Sequence, residues 1–532
     1  MHRSSLISRR ALTLCGLIGI AFFAAAEITA LILYREFWVD ELFAAWRSFL
    51  VVKGEFIPFR DGVFPYPPFI IPTHGAVQYF FGPSLYAGRI LASAFFAATL
   101  FLVYRLAARN GSKEWAFAAL ALIVSNILLA GNYVSATSYS IVMSTLLCAV
   151  WSETWKISRD KKIIIMAAAS AVLILTRANM VAAVLAILAY YFFIKVSFRE
   201  IIFFCVLVAG FTALGYFPLM VHDPSLAFAY AVSPFGNIGP LSGLPASSKE
   251  GGQTLMQFLE AFTAFVREYL GILILFFAGL SAIFLEKKGE LVSFLRRERL
   301  YALLIFMSFA LMGSHYFYPR IVSHVYYANY FIPLMILAVV VGGARFLAGN
   351  RLFSAMAGAA IVLGLAGNLY RIDVVSNPRE ESDIARVNRG AAFLAAHTGA
   401  GDRIIALDNS IIHIFAADRR TFAPLMNRNF FLLGDADTAK VARLGFYNLE
   451  MVKFWLAERA DYFAVHEERW PWAILRLPFW GTGTEDAGRG MKEIQEIIDT
   501  KYELVGTALN VYPRKYTEGN DGGTLKLYRR KP

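Results

Sequence analysis

The 532-residue chain is 58% hydrophobic and only 17% charged, where an ordinary soluble domain carries about 25% charged residues. Its apolar residues cluster in runs close to the roughly 20 residues needed to span hydrocarbon, which excludes a soluble enzyme and indicates a membrane protein. The net charge of +12 lies mostly in short segments between those runs. That is the pattern of positive-inside topology, and it excludes nucleic acid as a partner.

Arg3, Arg9 and Arg10 precede the first apolar run and place the N-terminus in the cytoplasm. The run over residues 11–34 is too long for a signal-peptide core, so it reads as a retained anchor and first span. Glu27 lies inside it and is expected to face the bundle interior and pair with a neighbouring helix. The chain then leaves the bilayer through REFWVDELFAAWRSF, residues 35–49. At 100° per residue Leu42, Phe43, Trp46, Phe49 and Leu50 share one face, and Asp40, Glu41, Arg47 and Ser48 share the opposite arc. That arrangement predicts a helix lying in the membrane interface. Prolines break the following EFIPFRDGVFPYPPF, and IIPTHGAVQYFFG, too short to span, reads as a second interfacial helix.

Spans 2 to 7 are expected at about residues 85–107, 115–131, 134–151, 162–176, 179–195 and 200–220. Spans 5 and 6 bracket Arg177 on the outer side. The Pro-, Gly- and Ser-rich stretch over residues 221–256 reads as a mobile lid. Spans 8 to 11 are expected at about 258–285, 300–315, 327–347 and 352–370, with the basic EKKGELVSFLRRER between the first two in the cytoplasm. Eleven spans put residues 372–532 outside, opposite the N-terminus. Their composition is that of a soluble domain: DIARVNRGAAFLAAH is a helix, RIIALD a short strand, and YELVGTALNVY with TLKLYRRKP a terminal hairpin. Cys15, Cys148 and Cys205 all fall in spans, so this part has no disulfide. The predicted fold is an α-helical polytopic membrane domain, residues 1–371, with interfacial helices in its first outer loop, plus a small C-terminal soluble α/β domain, residues 372–532.

No Gly-rich phosphate loop, His/Cys metal spacing or Gly-x-Ser-x-Gly elbow occurs. The outer-face polar residues that remain are Asp40, Glu41, Asp61, His74, Arg89, Arg177, His222, Asp223, His315, Arg320 and His324. Adjacent Asp and Glu on a helix point about 100° apart. One can take a proton from a hydroxyl while the other holds an acceptor or a divalent cation. A carboxylate pair is equally what a helix N-terminus stabilises through its dipole. Asp61, His74, His222 and His315 read as interface or solvent-facing polar groups.

Four features together resemble the GT-C superfamily of integral-membrane glycosyltransferases. They are FWVDELFAAW, the run YPPFIIPTHGAVQYFFGPSLYAGRILASAFFAATLFLVYRLA, ANYFIPLMILAV late in the bundle, and an outer soluble domain. The likeness covers about residues 10–370 and is greatest to the bacterial branch related to protein O-mannosyltransferases and the aminoarabinose transferases of lipid A. It implies inverting transfer of a hexose or pentose from a polyprenyl-phosphate donor, on the outer face of the inner membrane, to a glycan, glycolipid or protein acceptor. In that picture Asp40 is the general base and Glu41 supports it or binds substrate. Arg177, Arg320, His324 and Arg89 would neutralise the donor's leaving phosphate. Arg89 also reads as a helix-end packing residue. The chain departs from the family where relatives carry an arginine near spans 3 and 4, here GNYVSATSYS, and where Arg-Tyr precedes span 10, here Asn329-Tyr330. A transporter or flippase would show paired repeats and helices broken at midplane, while here the charges gather at one face. An O-antigen ligase or polymerase would lack the early acidic pair and the C-terminal soluble domain.

Overall fold

The computed structural model describes residues 2–35, 39–62, 64, 66–232, 255–316, 325–347, 351–375, 381–426, 431–432, 437–443, 446–469, 484–513 and 523–532. The chain forms two compact units: Met1–Ile32, Ala92–Gly215 and Gly252–Ser376 make one, and Leu33–Leu91, Tyr216–Gly251 and Asn377–Pro532 the other.

The long apolar runs become helices because, away from water, a segment must satisfy its own backbone hydrogen bonds. In chain order these are α1 (His2–Tyr34), α2 (Val39–Lys53), α3 (Ala76–Phe81), α4 (Leu85–Asn110), α5 (Lys113–Val124) and α6 (Ile127–Val134). They continue with α7 (Tyr139–Ser152), α8 (Arg159–Thr176), α9 (Val181–Phe193), α10 (Phe198–Met220) and α11 (Pro224–Val232). Then come α12 (Leu255–Glu286), α13 (Leu291–Arg297), α14 (Arg299–Tyr316), α15 (Ile332–Phe346) and α16 (Arg351–Val375). By length and composition three described helices can cross a membrane: α4, α10 and the Phe262–Glu286 part of α12. The bent pair α5–α6 makes a fourth if counted as one span, and six further apolar helices are shorter.

Two sequence expectations need correction here. Predicted span 3 is broken: α5 and α6 meet at 76°. The cause is local, because Asn126 is extended and its side chain accepts a hydrogen bond from Leu129 N, starting a new helix. Gly364 of α16 passes the break so closely that a Cβ would lie 2.6 Å from Ser125 Oγ. Part of the stretch read as a lid is helix α11, started by Asp223, whose Oδ1 accepts from Leu226 N at 3.0 Å; residues 233–254 lie outside the described residues. The core of this first unit is centred on α7, where Ile141, Val142, Met143, Leu146 and Leu147 are at most 1% exposed, and on α15, whose residues Ile332–Val341 are at most 6% exposed.

In the second unit α17 (Asp383–His397) starts at Ser382, whose side chain accepts from Ala385 N. Short elements follow: β1 (Ile404–Ile405), α18 (Ile411–Ala416), β2 (Phe431–Leu432), α19 (Thr438–Arg443), β3 (Tyr447–Asn448) and α20 (Leu449–Phe454). The chain ends with β4 (Tyr462–His466), α21 (Thr484–Lys501), β5 (Tyr502–Leu509) and β6 (Thr524–Arg530). The sheet order is β1-β4-β6-β5, with β1 and β4 parallel and the other pairs antiparallel. The hairpin β5–β6 runs from Tyr502↔Arg530 to Leu509↔Thr524, with one register shift between Leu504 and Gly506. Ile404, Ile405, Phe463, Leu525 and Leu527 of the sheet and Ile384, Val387 and Leu394 of α17 are all at most 1% exposed and make its core. Asp408 ties the parallel strands together at their ends, accepting from Ser410 N and His466 N, each at 2.7 Å.

Candidate active site

The acidic pair opens α2, directly after the first long helix. Asp40 is in the first turn, and its side chain lies outside the described residues. Glu41 turns inward, 0% exposed, and is met by Arg89 of α4, also 0% exposed. Arg89 donates Nε to Glu41 Oε2 at 3.0 Å and Nη2 to Oε1 at 3.1 Å, and its Nη1 donates to the Arg35 carbonyl at 3.0 Å. This is a two-pronged guanidinium–carboxylate pair, the geometry that fixes orientation as well as charge. It joins residues 48 positions apart.

The surroundings of α2 cover both of the arcs read from its period. The apolar arc is buried as expected, with Leu42, Trp46 and Phe49 at most 5% exposed, and Trp46 packs on Phe415 at 5.7 Å between ring centres. The described residues of the polar arc are buried as well: Glu41, Arg47 and Ser48 are at most 1% exposed. Arg47 donates Nη2 to the Ala423 carbonyl at 2.9 Å, and a Cβ on Gly75 would meet Ser48 O at 2.5 Å. Protein neighbours, and not water alone, cover this arc.

Other sequence candidates also move. His74, expected at an interface or in solvent, is 0% exposed on the π-helical turn Ile71–Gly75. Asp61 is a turn residue: it accepts from Arg60 Nε at 2.8 Å and from Ile57 N at 2.7 Å, and Arg60 holds its carboxyl below the usual range. His222 is exposed. The carboxylate oxygens of Glu27 are buried with no hydrogen-bond partner among the described residues, so the expected pairing is not found there. The His315 side chain and residues Arg320 and His324 lie outside the described residues.

Arg177 belongs to the first unit. It ends α8 in an extended conformation, φ −160°, ahead of the turn Ala178–Met180. Three tyrosine rings enclose its guanidinium, with centres at 5.1 Å (Tyr139), 5.3 Å (Tyr330) and 5.7 Å (Tyr327). Nη1 donates to Ser138 Oγ at 3.4 Å. Each such contact contributes about 0.5–2 kcal/mol, more where water is excluded, and Tyr139 and Tyr330 are at most 3% exposed. Asn329, standing where the resemblance expects arginine, is fully buried, and its carbonyl accepts from the Tyr133 hydroxyl. The tyrosine cage was missed in the sequence. Its one signal is the density of tyrosine in ATSYS and VYYANY beside the spans.

A metal is testable on these residues. Both oxygens of Glu41 take N–H groups from Arg89, so a dication there would face a guanidinium; Glu41 does not fit the ligand role. No cluster of three or more His, Cys, Asp or Glu suited to a metal ion is found among the described residues.

No protein-family model matches the chain, and no curated protein matches it. Solved structures do match. ArnT from Cupriavidus metallidurans bound to undecaprenyl phosphate aligns with TM-score 0.55 and 11% identity over 96% of this chain and 97% of that one. The apo form of that protein gives TM-score 0.55 and 11% identity over 98% of each chain. The apo oligosaccharyltransferase of Archaeoglobus fulgidus aligns less well, at TM-score 0.46 and 10% identity over 85% of this chain and 70% of that one. The likeness is one of fold: the chain is a membrane protein with the fold that ArnT displays.

Proposed function

We propose that the protein is a membrane glycosyltransferase that moves a sugar from a polyprenyl-phosphate carrier to a glycan, glycolipid or protein acceptor. The observation that carries this reading is the Asp40-Glu41 pair opening α2, with Glu41 locked by Arg89. The fold shared with an ArnT that holds undecaprenyl phosphate supports it. In this reading residues 1–371 form the transmembrane domain, with eleven spans in the inner membrane. Residues 372–532 lie on the periplasmic side, where the reaction takes place.

Asp40 accepts the proton of the acceptor hydroxyl as its oxygen attacks the sugar's anomeric carbon. The bond from that carbon to the phosphate oxygen breaks on the opposite face, inverting the centre and releasing polyprenyl phosphate. Charge accumulates on the departing phosphate, and fixed cations stabilise it as it forms. Arg177 has that role, with Arg320 and His324 assigned beside it. Glu41 and Arg89 act through position: their ion pair holds the first turn of α2, and so the backbone of Asp40, in one orientation. That moves Arg89 from the phosphate set to the support of the base.

The test uses reconstituted protein and a labelled polyprenyl-phosphate sugar, following release of polyprenyl phosphate. Asp40→Asn should lower turnover by about 10²–10⁴-fold, the usual contribution of a positioned base, with an unchanged unfolding midpoint. Undiminished turnover in that variant would remove Asp40 as the base. Movement of the intact lipid-linked sugar across the vesicle, without release, would instead indicate a flippase.

A further inference from the structure

Between α2 and α4 the chain displays three consecutive aromatic side chains on α3. Tyr79 is 53% exposed, Phe80 76% and Phe81 75%. They are not on a loose loop. Gln78, 1% exposed, donates Nε2 to the Ser84 carbonyl at 2.8 Å and accepts from Ser84 N at 2.6 Å. That clamp closes residues 79–83 into a projection, and Gly82 supplies the reversal with φ +78°. At the other end Gly75 lies against the Ser48 backbone, where a Cβ would come within 2.5 Å of Ser48 O. The aromatic tip is therefore fixed to the helix that carries Asp40 and Glu41.

Its level follows from α4. That helix has 26 residues, about 39 Å at 1.5 Å per residue, while the hydrocarbon core is about 30 Å thick. Crossing that core leaves about 9 Å of α4 over, so in the proposed orientation its start stands at or just outside the membrane–water boundary. The Gln78–Ser84 clamp sets the tip beside that start, and Phe80 and Phe81 lie only two and three residues beyond Gln78, about 5 Å along a helix. Each phenylalanine left in water forgoes about 1.5–3 kcal/mol available from burial, and an aromatic cluster at this depth is what interfacial anchors use.

We propose that Tyr79, Phe80 and Phe81 form a rigid wedge inserted into the bilayer at the boundary of headgroups and acyl chains. Its partner is lipid, and its effect is to hold α2 at a set height on the membrane surface. Continuity with a membrane-crossing helix favours lipid over a second protein copy.

The experiment needs no turnover and so stands apart from the proposed reaction. Cys15, Cys148 and Cys205 are replaced by Ala, and a nitroxide label is attached at Phe80→Cys or, as a water-exposed control, at Lys531→Cys. The labelled full-length protein is placed in phosphatidylcholine–phosphatidylglycerol nanodiscs. Expected is stronger relaxation of the residue 80 label by oxygen than by a water-soluble nickel chelate, the reverse of the residue 531 label. A residue 80 label relaxed by nickel as strongly as the control overturns the proposal. Shielding from both reagents together with spin–spin broadening also overturns it and assigns the tip to contact between copies. Position 80 is largely exposed, so an unchanged unfolding midpoint is expected; a label at Phe81→Cys repeats the measurement should that midpoint fall.

Discussion

Arg89 and Arg177 begin as equals, two arginines near the ends of apolar runs, and the structure gives them different surroundings. Arg89 meets a carboxylate with 0% exposure on both side chains. Arg177 meets three tyrosine rings and a serine hydroxyl. A carboxylate cancels a guanidinium's charge, whereas aromatic faces attract the cation through their quadrupoles and leave its charge in place. The difference separates two uses of one residue type. Arg89 is held in one geometry by a carboxylate, while the guanidinium of Arg177 is held between aromatic faces.

The largest effect tests the first half of that contrast. Removing one member of a buried pair strands the other's charge, so Glu41→Ala or Arg89→Ala should each cost about 3–5 kcal/mol of stability, read from unfolding in detergent. The double variant should cost well under the sum, with a coupling of roughly 0.5–3 kcal/mol. Additive losses would mean that the pair is not a unit.

Next is Arg177→Ala. In the proposed reaction, loss of this group should lower turnover of the folded protein about 10²–10³-fold, beside a stability loss from its three ring contacts of about 0.5–2 kcal/mol each. Arg177→Lys should recover only part, because lysine keeps the charge without the planar face that the tyrosines hold. If the alanine variant unfolds as readily as Arg89→Ala and turns over normally once folded, the two arginines are alike after all.

A third measurement asks what burial does to a cationic group with no carboxylate to receive it. His413 is fully buried in the second unit, its Nδ1 facing the Val387 carbonyl at 3.2 Å. Burial, reinforced by nearby His466, pushes its pKa from 6.5 down to about 3. Between those values the unfolded chain takes up a proton that the folded chain refuses. This site's contribution therefore falls as pH drops, by up to about 1.4 kcal/mol per pH unit, and is level above pH 6.5. Unfolding of His413→Gln between pH 7 and 4 should show a shallower slope than the parent; an equal slope would contradict the assignment.

The smallest effect lies at the far end of α2. Lys53 meets Asp418 at 3.2 Å with side chains 32% and 43% exposed. Asp418→Asn should change stability by about 1 kcal/mol or less and lose even that in high salt. A larger loss would show that exposure does not separate this pair from Glu41–Arg89.

Much of the architecture was legible along the chain because it is local. Run length and composition mark the apolar helices, and alternation and a turn mark the β5–β6 hairpin. Periodicity also divided α2 into two correct arcs. It could not say what would cover the polar one, whose described residues Glu41, Arg47 and Ser48 are buried. The break in predicted span 3 was written in Asn126, a residue that caps helices as readily as it sits within polar turns.

By itself the sequence determined that this is a helical membrane protein with an early acidic pair, since hydropathy and helix period act over a few residues at a time. Only the tertiary structure decided that Arg89 would meet a carboxylate, that Arg177 would sit among tyrosines, and that His74 would be buried. Those outcomes depend on groups brought together from distant parts of the chain, as with the 48 positions between Glu41 and Arg89. The field at a buried charge is set by whatever neighbour the fold delivers to it.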